Sequence, residues 1–80
     1  MDATYKLMVE MKIRLAFEEP EIARLIFPLE FQEVNDDICM ETDGKRLFYN
    51  REAIRNLTSD QITKNMRELK SAIEALKEPQ

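Results

Sequence analysis

Apolar and polar residues alternate from Tyr5 to Phe17. Tyr5, Leu7, Val9, Met11, Ile13, Leu15 and Phe17 are all apolar, and Lys6, Glu10, Lys12 and Arg14 fall between them. Alternation at this period predicts a strand with one buried face. A helix stays open for the same residues. Lys6, Glu10 and Arg14 are spaced i, i+4, i+8 and would form a charged stripe with two favourable pairs. Leu, Met, Lys and Glu also favour helix. The strand is preferred because a hairpin lies further along, and two strands alone are barely stable in water.

A short helix is predicted next. Pro20 suits the first helical position, where its missing N–H is not needed, and Glu18, Glu19 and Glu21 favour the positive end of the helix dipole. Ile22, Leu25, Ile26 and Leu29 form its core-facing stripe, and Pro28 stops it at Phe27. Leu29 to Val34 reads as extended or irregular.

Thr42-Asp43-Gly44-Lys45-Arg46-Leu47-Phe48-Tyr49-Asn50 reads as a tight hairpin whose second strand runs into a helix. Asp-Gly is a strong type I′ signal, since that turn needs φ > 0 at both central residues. With Asp43-Gly44 as the turn, Thr42 pairs with Lys45, Glu41 with Arg46, Met40 with Leu47, Cys39 with Phe48 and Ile38 with Tyr49. One face then carries Ile38, Met40, Leu47 and Tyr49; the other carries Cys39, Glu41, Arg46 and Phe48. Glu41 opposite Arg46 is a charge-complementary pair.

Asn50 can cap a short helix holding Ala53, Ile54 and Leu57. Thr58-Ser59-Asp60-Gln61 is a capping box for a final helix, with Leu57 and Ile62 placed as a hydrophobic staple. Ile62, Met66, Leu69, Ile73 and Leu76 then recur at spacings of four and three, a narrow seam read chiefly as intramolecular core. Pro79 falls near the end of that helix. The elements assemble into one α+β domain over residues 1–80. It is a small two-layer sandwich, an antiparallel three-stranded sheet with helices on one face in β-α-β-β-α order. With a helical first segment the order becomes α-α-β-β-α.

Composition narrows the function more than it identifies one. An 80-residue domain buries only about 60% of the surface its unfolded chain exposes, so a partner or self-association is a reasonable expectation. The formal charge of −4 argues against a nucleic-acid surface, which needs a basic stripe. Lys64, Arg67, Lys70 and Lys77 on the last helix are interleaved with Glu68, Glu74 and Glu78, as on a solvated face. No apolar run approaches the roughly 20 residues that span a bilayer, and no signal peptide is visible. Cytoplasmic residence is the expectation.

The chain has no His and one Cys. A structural zinc site takes four N/S ligands, which one copy cannot supply, and Asp36, Asp37 and Asp43 match no calcium-loop spacing. Cys39 lacks a base to activate it. Glu18-Glu19 and Asp36-Asp37 are neighbours in sequence, with little chain left to build a pocket that would push their pKa values apart. No catalytic group, metal, cofactor or small-molecule substrate is therefore assigned. Helices covering the Met40/Leu47 face would leave Phe48, Cys39 and Arg46 on the open face of the sheet. Met8 and Ala16 of the first strand would join them. These five residues are the candidate interface for a protein partner or for sheet-to-sheet dimerisation.

Two resemblances accompany this reading. Thr42 to Ile62 (T-D-G-K-R-L-F-Y-N-R-E-A-I-R-N-L-T-S-D-Q-I), with Arg14 to Ile26, resembles the scaffold of the metallopeptidase-like domain that precedes VWA-like domains. That family carries H-E-x-x-H on its next helix. Here the corresponding stretch is Met66-Arg67-Glu68-Leu69-Lys70-Ser71-Ala72, so the resemblance implies scaffold without catalysis, a degenerate relative or a fragment. Ile13 to Phe17 followed by Glu18 to Ile26 is similar to the small, non-catalytic, dimerising subunits of the KEOPS tRNA-modification complex. The expected function is a non-catalytic interaction module, acting as a dimer or as a small subunit or regulator. The alternatives are the metallohydrolase fragment and a small acidic inhibitor from a mobile element.

Overall fold

The structure is a computed structural model and describes residues 3–77, the side chain of Lys77 excepted; Glu78 and Pro79 lie outside the described residues. Seven elements follow in order: α1 (Ala3–Glu18), α2 (Pro20–Ile26), β1 (Glu30–Val34), β2 (Met40–Thr42), β3 (Arg46–Asn50), α3 (Arg51–Arg55) and α4 (Ser59–Lys77). The α+β class, the three-stranded sheet and the hairpin-to-helix run are as expected. The first segment is not.

Residues 5–17 are helical, so the preferred strand reading is overturned. Helix-forming Leu, Met, Lys, Glu, Arg and Ala dominate the segment. Tertiary contacts complete the choice. Arg14 Nε donates to Glu18 Oε1 at 2.8 Å one turn along, and its Nη2 donates to Asp60 Oδ1 of α4 at 2.7 Å. These two carboxylates hold the Arg14 guanidinium pKa above its ordinary value, Glu18 first. Thr4, Met8, Met11 and Leu15 form the buried face of α1.

The third strand comes instead from Glu30–Val34, which pairs in parallel with β3, register Phe31↔Leu47. The sheet is therefore mixed, not purely antiparallel, in the order β1-β3-β2. The stability requirement behind the strand expectation was sound; the segment meeting it lay elsewhere. Asn50 ties this end of the sheet together. Its amide N–H donates to Cys39 O at 3.3 Å, its Nδ2 to Asp36 O at 2.9 Å, and its Oδ1 accepts from Ala53 N at 3.1 Å to cap α3.

The hairpin register is Met40↔Tyr49, Glu41↔Phe48 and Thr42↔Leu47. It differs from the expected register by two residues, so Glu41 faces Phe48 rather than Arg46, while Met40, Glu41, Arg46, Leu47, Phe48 and Tyr49 keep their predicted faces. The loop tip moves to Gly44-Lys45. A type I′ turn at Asp43-Gly44 would need positive φ at both, and among the described residues only Gly44 has it, at +92°. Asp43 stays at negative φ and uses its carboxylate instead. Oδ1 accepts from Lys45 N at 2.9 Å and Arg46 N at 2.7 Å, which holds the Asp43 carboxyl below its ordinary pKa. Thr42 Oγ1 accepts from Gly44 N at 3.0 Å and donates to Arg46 O at 2.6 Å. A Cβ at Gly44 would meet Leu76 Cδ1 at 3.5 Å, ordinary contact, so backbone conformation and not space requires glycine here.

The remaining starts and stops follow the sequence. Pro20 opens α2, which ends at Ile26 before Pro28. The capping box closes both ways: Thr58 N donates to Gln61 Oε1 at 2.8 Å and Gln61 N to Thr58 Oγ1 at 3.2 Å. Ile62, Met66, Leu69 and Ile73 of α4 are buried, whereas Leu76 is exposed, so the intramolecular seam ends at Ile73. The core lies between the helices and one sheet face, around Met8, Leu15, Ile26, Leu47, Ile54, Ile62, Met66 and Ile73, all fully buried. Arg67 of α4 pairs with Glu19, which joins α1 to α2.

Candidate protein interface

In a helix each residue advances about 100°, so every second residue advances about 200°. An alternating pattern wound into a helix therefore splits into two stripes on opposite sides. In α1 the first is Leu7, Met11 and Leu15, which with Met8 packs into the core. The second is Tyr5, Val9, Ile13 and Phe17, each one turn from the next. This outward stripe faces away from the core. Phe17 is 85% exposed and Ile13 48%. Val9 and Ala16 are half-buried beside them.

The stripe has a structured margin. The rings of Tyr5 and Phe31 meet edge to face, centroids 6.4 Å apart. Lys12 Nζ sits 5.0 Å from the Phe27 ring centroid and 5.1 Å from that of Phe31. Phe27 itself is 47% exposed. A cation held over two aromatic faces is a favourable contact, and it leaves Lys12 at the rim. Lys6 and Glu10 are exposed on the other flank. α1 carries Lys6, Lys12 and Arg14 against Glu10 and Glu18, a net +1 in a chain of −4.

The five residues expected at the interface do not form one surface. Met8 is fully buried in the core, because α1 is a helix and Met8 falls on its inward side. Ala16 belongs to α1 and packs at the core margin, beside Ile13 and Phe17 rather than beside Phe48. Cys39 precedes β2 and packs against the core from its edge. Burial, with the charge of Glu68 second, raises its thiol pKa, which disfavours the reactive thiolate. Phe48 and Arg46 do share the outer face of the sheet. The register places Glu30 and Gln32 of β1 and Glu41 of β2 beside them, all exposed. Half-buried Phe48 and Val34 are the apolar residues of that face, so it is mostly polar.

Tyr5, Ile13, Phe17 and Phe27 were missed as surface residues. The signal was present: the odd positions that suggest period two are also two series at i, i+4. Among the described residues there is no pocket and no cluster of three or more His, Cys, Asp or Glu placed to hold a metal ion. No helix among them is long and apolar enough to cross a membrane. No protein-family model, curated protein or solved structure matches the chain.

Proposed function

We propose that the chain is a non-catalytic interaction module that docks protein through the outward stripe of α1. The supporting observation is Phe17, a large apolar side chain left 85% exposed one turn from Ile13 on an ordered helix. Exposed apolar residues scattered singly need no explanation. An aligned series of them, margined by Phe27 and Lys12, is what a partner helix or groove takes up. The module serves as a dimer or as a small subunit or regulator of a larger assembly. Its partner is protein rather than nucleic acid, in keeping with the acidic net charge. A reducing, cytoplasmic setting fits the free Cys39 thiol.

Replacing Phe17 with Glu tests this reading. The side chain is exposed, so the fold should survive, as checked by circular dichroism and melting temperature. Capture of partners by the immobilised chain should fall at least tenfold relative to wild type. Undiminished capture by a folded Phe17→Glu variant would place the docking surface elsewhere.

A further inference from the structure

We infer that the occupant of the α1 stripe is a second copy of this chain, paired helix to helix about a two-fold axis near Ile13. The inference rests on the reading of α1 as the docking surface and adds the identity of the partner. Tyr5, Val9, Ile13 and Phe17 form a ridge at i±4 spacing. The commonest helix pairing in globular proteins interdigitates i±4 ridges from both helices at about −50°. A ridge of this kind is complementary to its own copy, which is what an isologous contact requires. Its most exposed members are Ile13 at 48% and Phe17 at 85%, with Val9 half-buried before them, so the contact centres on its C-terminal half. An axis at Ile13 sets Phe17 over Val9 of the second copy, and Ala16 leaves room beside the ring. Large meets small on both sides of the axis.

Area and charge agree with this occupant. The exposed parts of Tyr5, Ile13, Phe17 and Phe27 amount to roughly 400 Å² of apolar surface, given the size of such side chains. Interfaces are about 60% apolar, so a patch of this size belongs to a contact of about 1,300 Å² over both partners. That lies at the lower end of specific interfaces. Charge points the same way. A chain of −4 repels its copy least where its acidic excess is absent, and the face around α1 is such a place, since Lys6, Lys12 and Arg14 balance Glu10, Glu18 and the Asp60 that Arg14 reaches. The same net acidity opposes docking on an anionic membrane.

Sedimentation equilibrium on the wild-type chain from about 1 μM to 1 mM, the range for a small interface, should show a reversible monomer–dimer equilibrium. Phe17→Glu should shift its midpoint at least tenfold toward monomer. A cross-linking pair locates the axis. In a Cys39→Ser background, Ile13→Cys should form an interchain disulfide with oxidised glutathione. Lys64→Cys, exposed on α4, should cross-link at least tenfold more slowly. A wild-type chain that stays monomeric, a dimer indifferent to Phe17→Glu, or equal cross-linking at both sites would each overturn the pairing. A monomeric chain whose capture of another protein still depends on Phe17 would remove the self-pairing and leave the docking surface standing. Capture that ignores Phe17 would remove both.

Discussion

The two long helices handle apolar residues differently. In α4, Ile62, Met66, Leu69 and Ile73 all turn inward and are buried, while Lys64, Glu68, Ser71 and Glu74 face solvent. α1 buries an equally good stripe and then carries a second one on its far side. One stripe is enough to attach a helix to a core. The exposed end of the second, Ile13 and Phe17, adds little to the isolated fold, and we read this surplus as the mark of a helix that also faces a partner.

The sharpest way to break this contrast is to truncate one residue from each side of α1. Leu15→Ala should destabilise the chain by about 2–5 kcal/mol, since Leu15 is fully buried. Phe17→Ala should leave monomer stability within about 0.5 kcal/mol. Urea denaturation at low protein concentration reads both. Equal losses would mean that the outward stripe is part of the fold. On α4, whose single stripe depends on a well-defined start, Thr58→Ala should cost about 1 kcal/mol through the lost cap and leave self-association unchanged. The smallest effect belongs to the hairpin, remote from both stripes. Asp43→Ala should lower stability and Asp43→Asn less, because an amide oxygen still accepts from Lys45 N and Arg46 N. The folded-state carboxyl pKa of Asp43 is depressed. Its contribution is therefore fully present above the ordinary carboxylate value and lost as pH falls through the lowered one. Acid titration of Asp43→Asn should lack that component.

Much of the architecture was legible. Pro20 before a short apolar stripe, Asn50 ahead of α3 and the Thr58/Gln61 box all mark local backbone chemistry, which neighbours in sequence decide. The hairpin was legible in its faces but not in its register. The offset of two residues conserves alternation, and the loop tip was decided by Asp43 avoiding positive φ. The first segment was misjudged because period two and paired i, i+4 series place apolar residues at the same positions. Only packing against α2 and α4 distinguishes them. That ambiguity put the core residue Met8 on a surface, grouped Ala16 with the sheet rather than with α1, and hid Ile13 and Phe17. The mixed sheet escaped because β1 alternates weakly, with Glu30, Gln32 and Glu33 exposed, and pairs with a strand distant in sequence.

Amide chemical shifts followed through a dilution series report on the contact surface residue by residue. Concentration-dependent shifts should concentrate at Val9, Ile13, Ala16 and Phe17 and leave Gln32, Glu41, Arg46 and Phe48 still. Shifts confined to those four sheet residues would contradict α1 as the contact surface and return the interface to the outer face of the sheet.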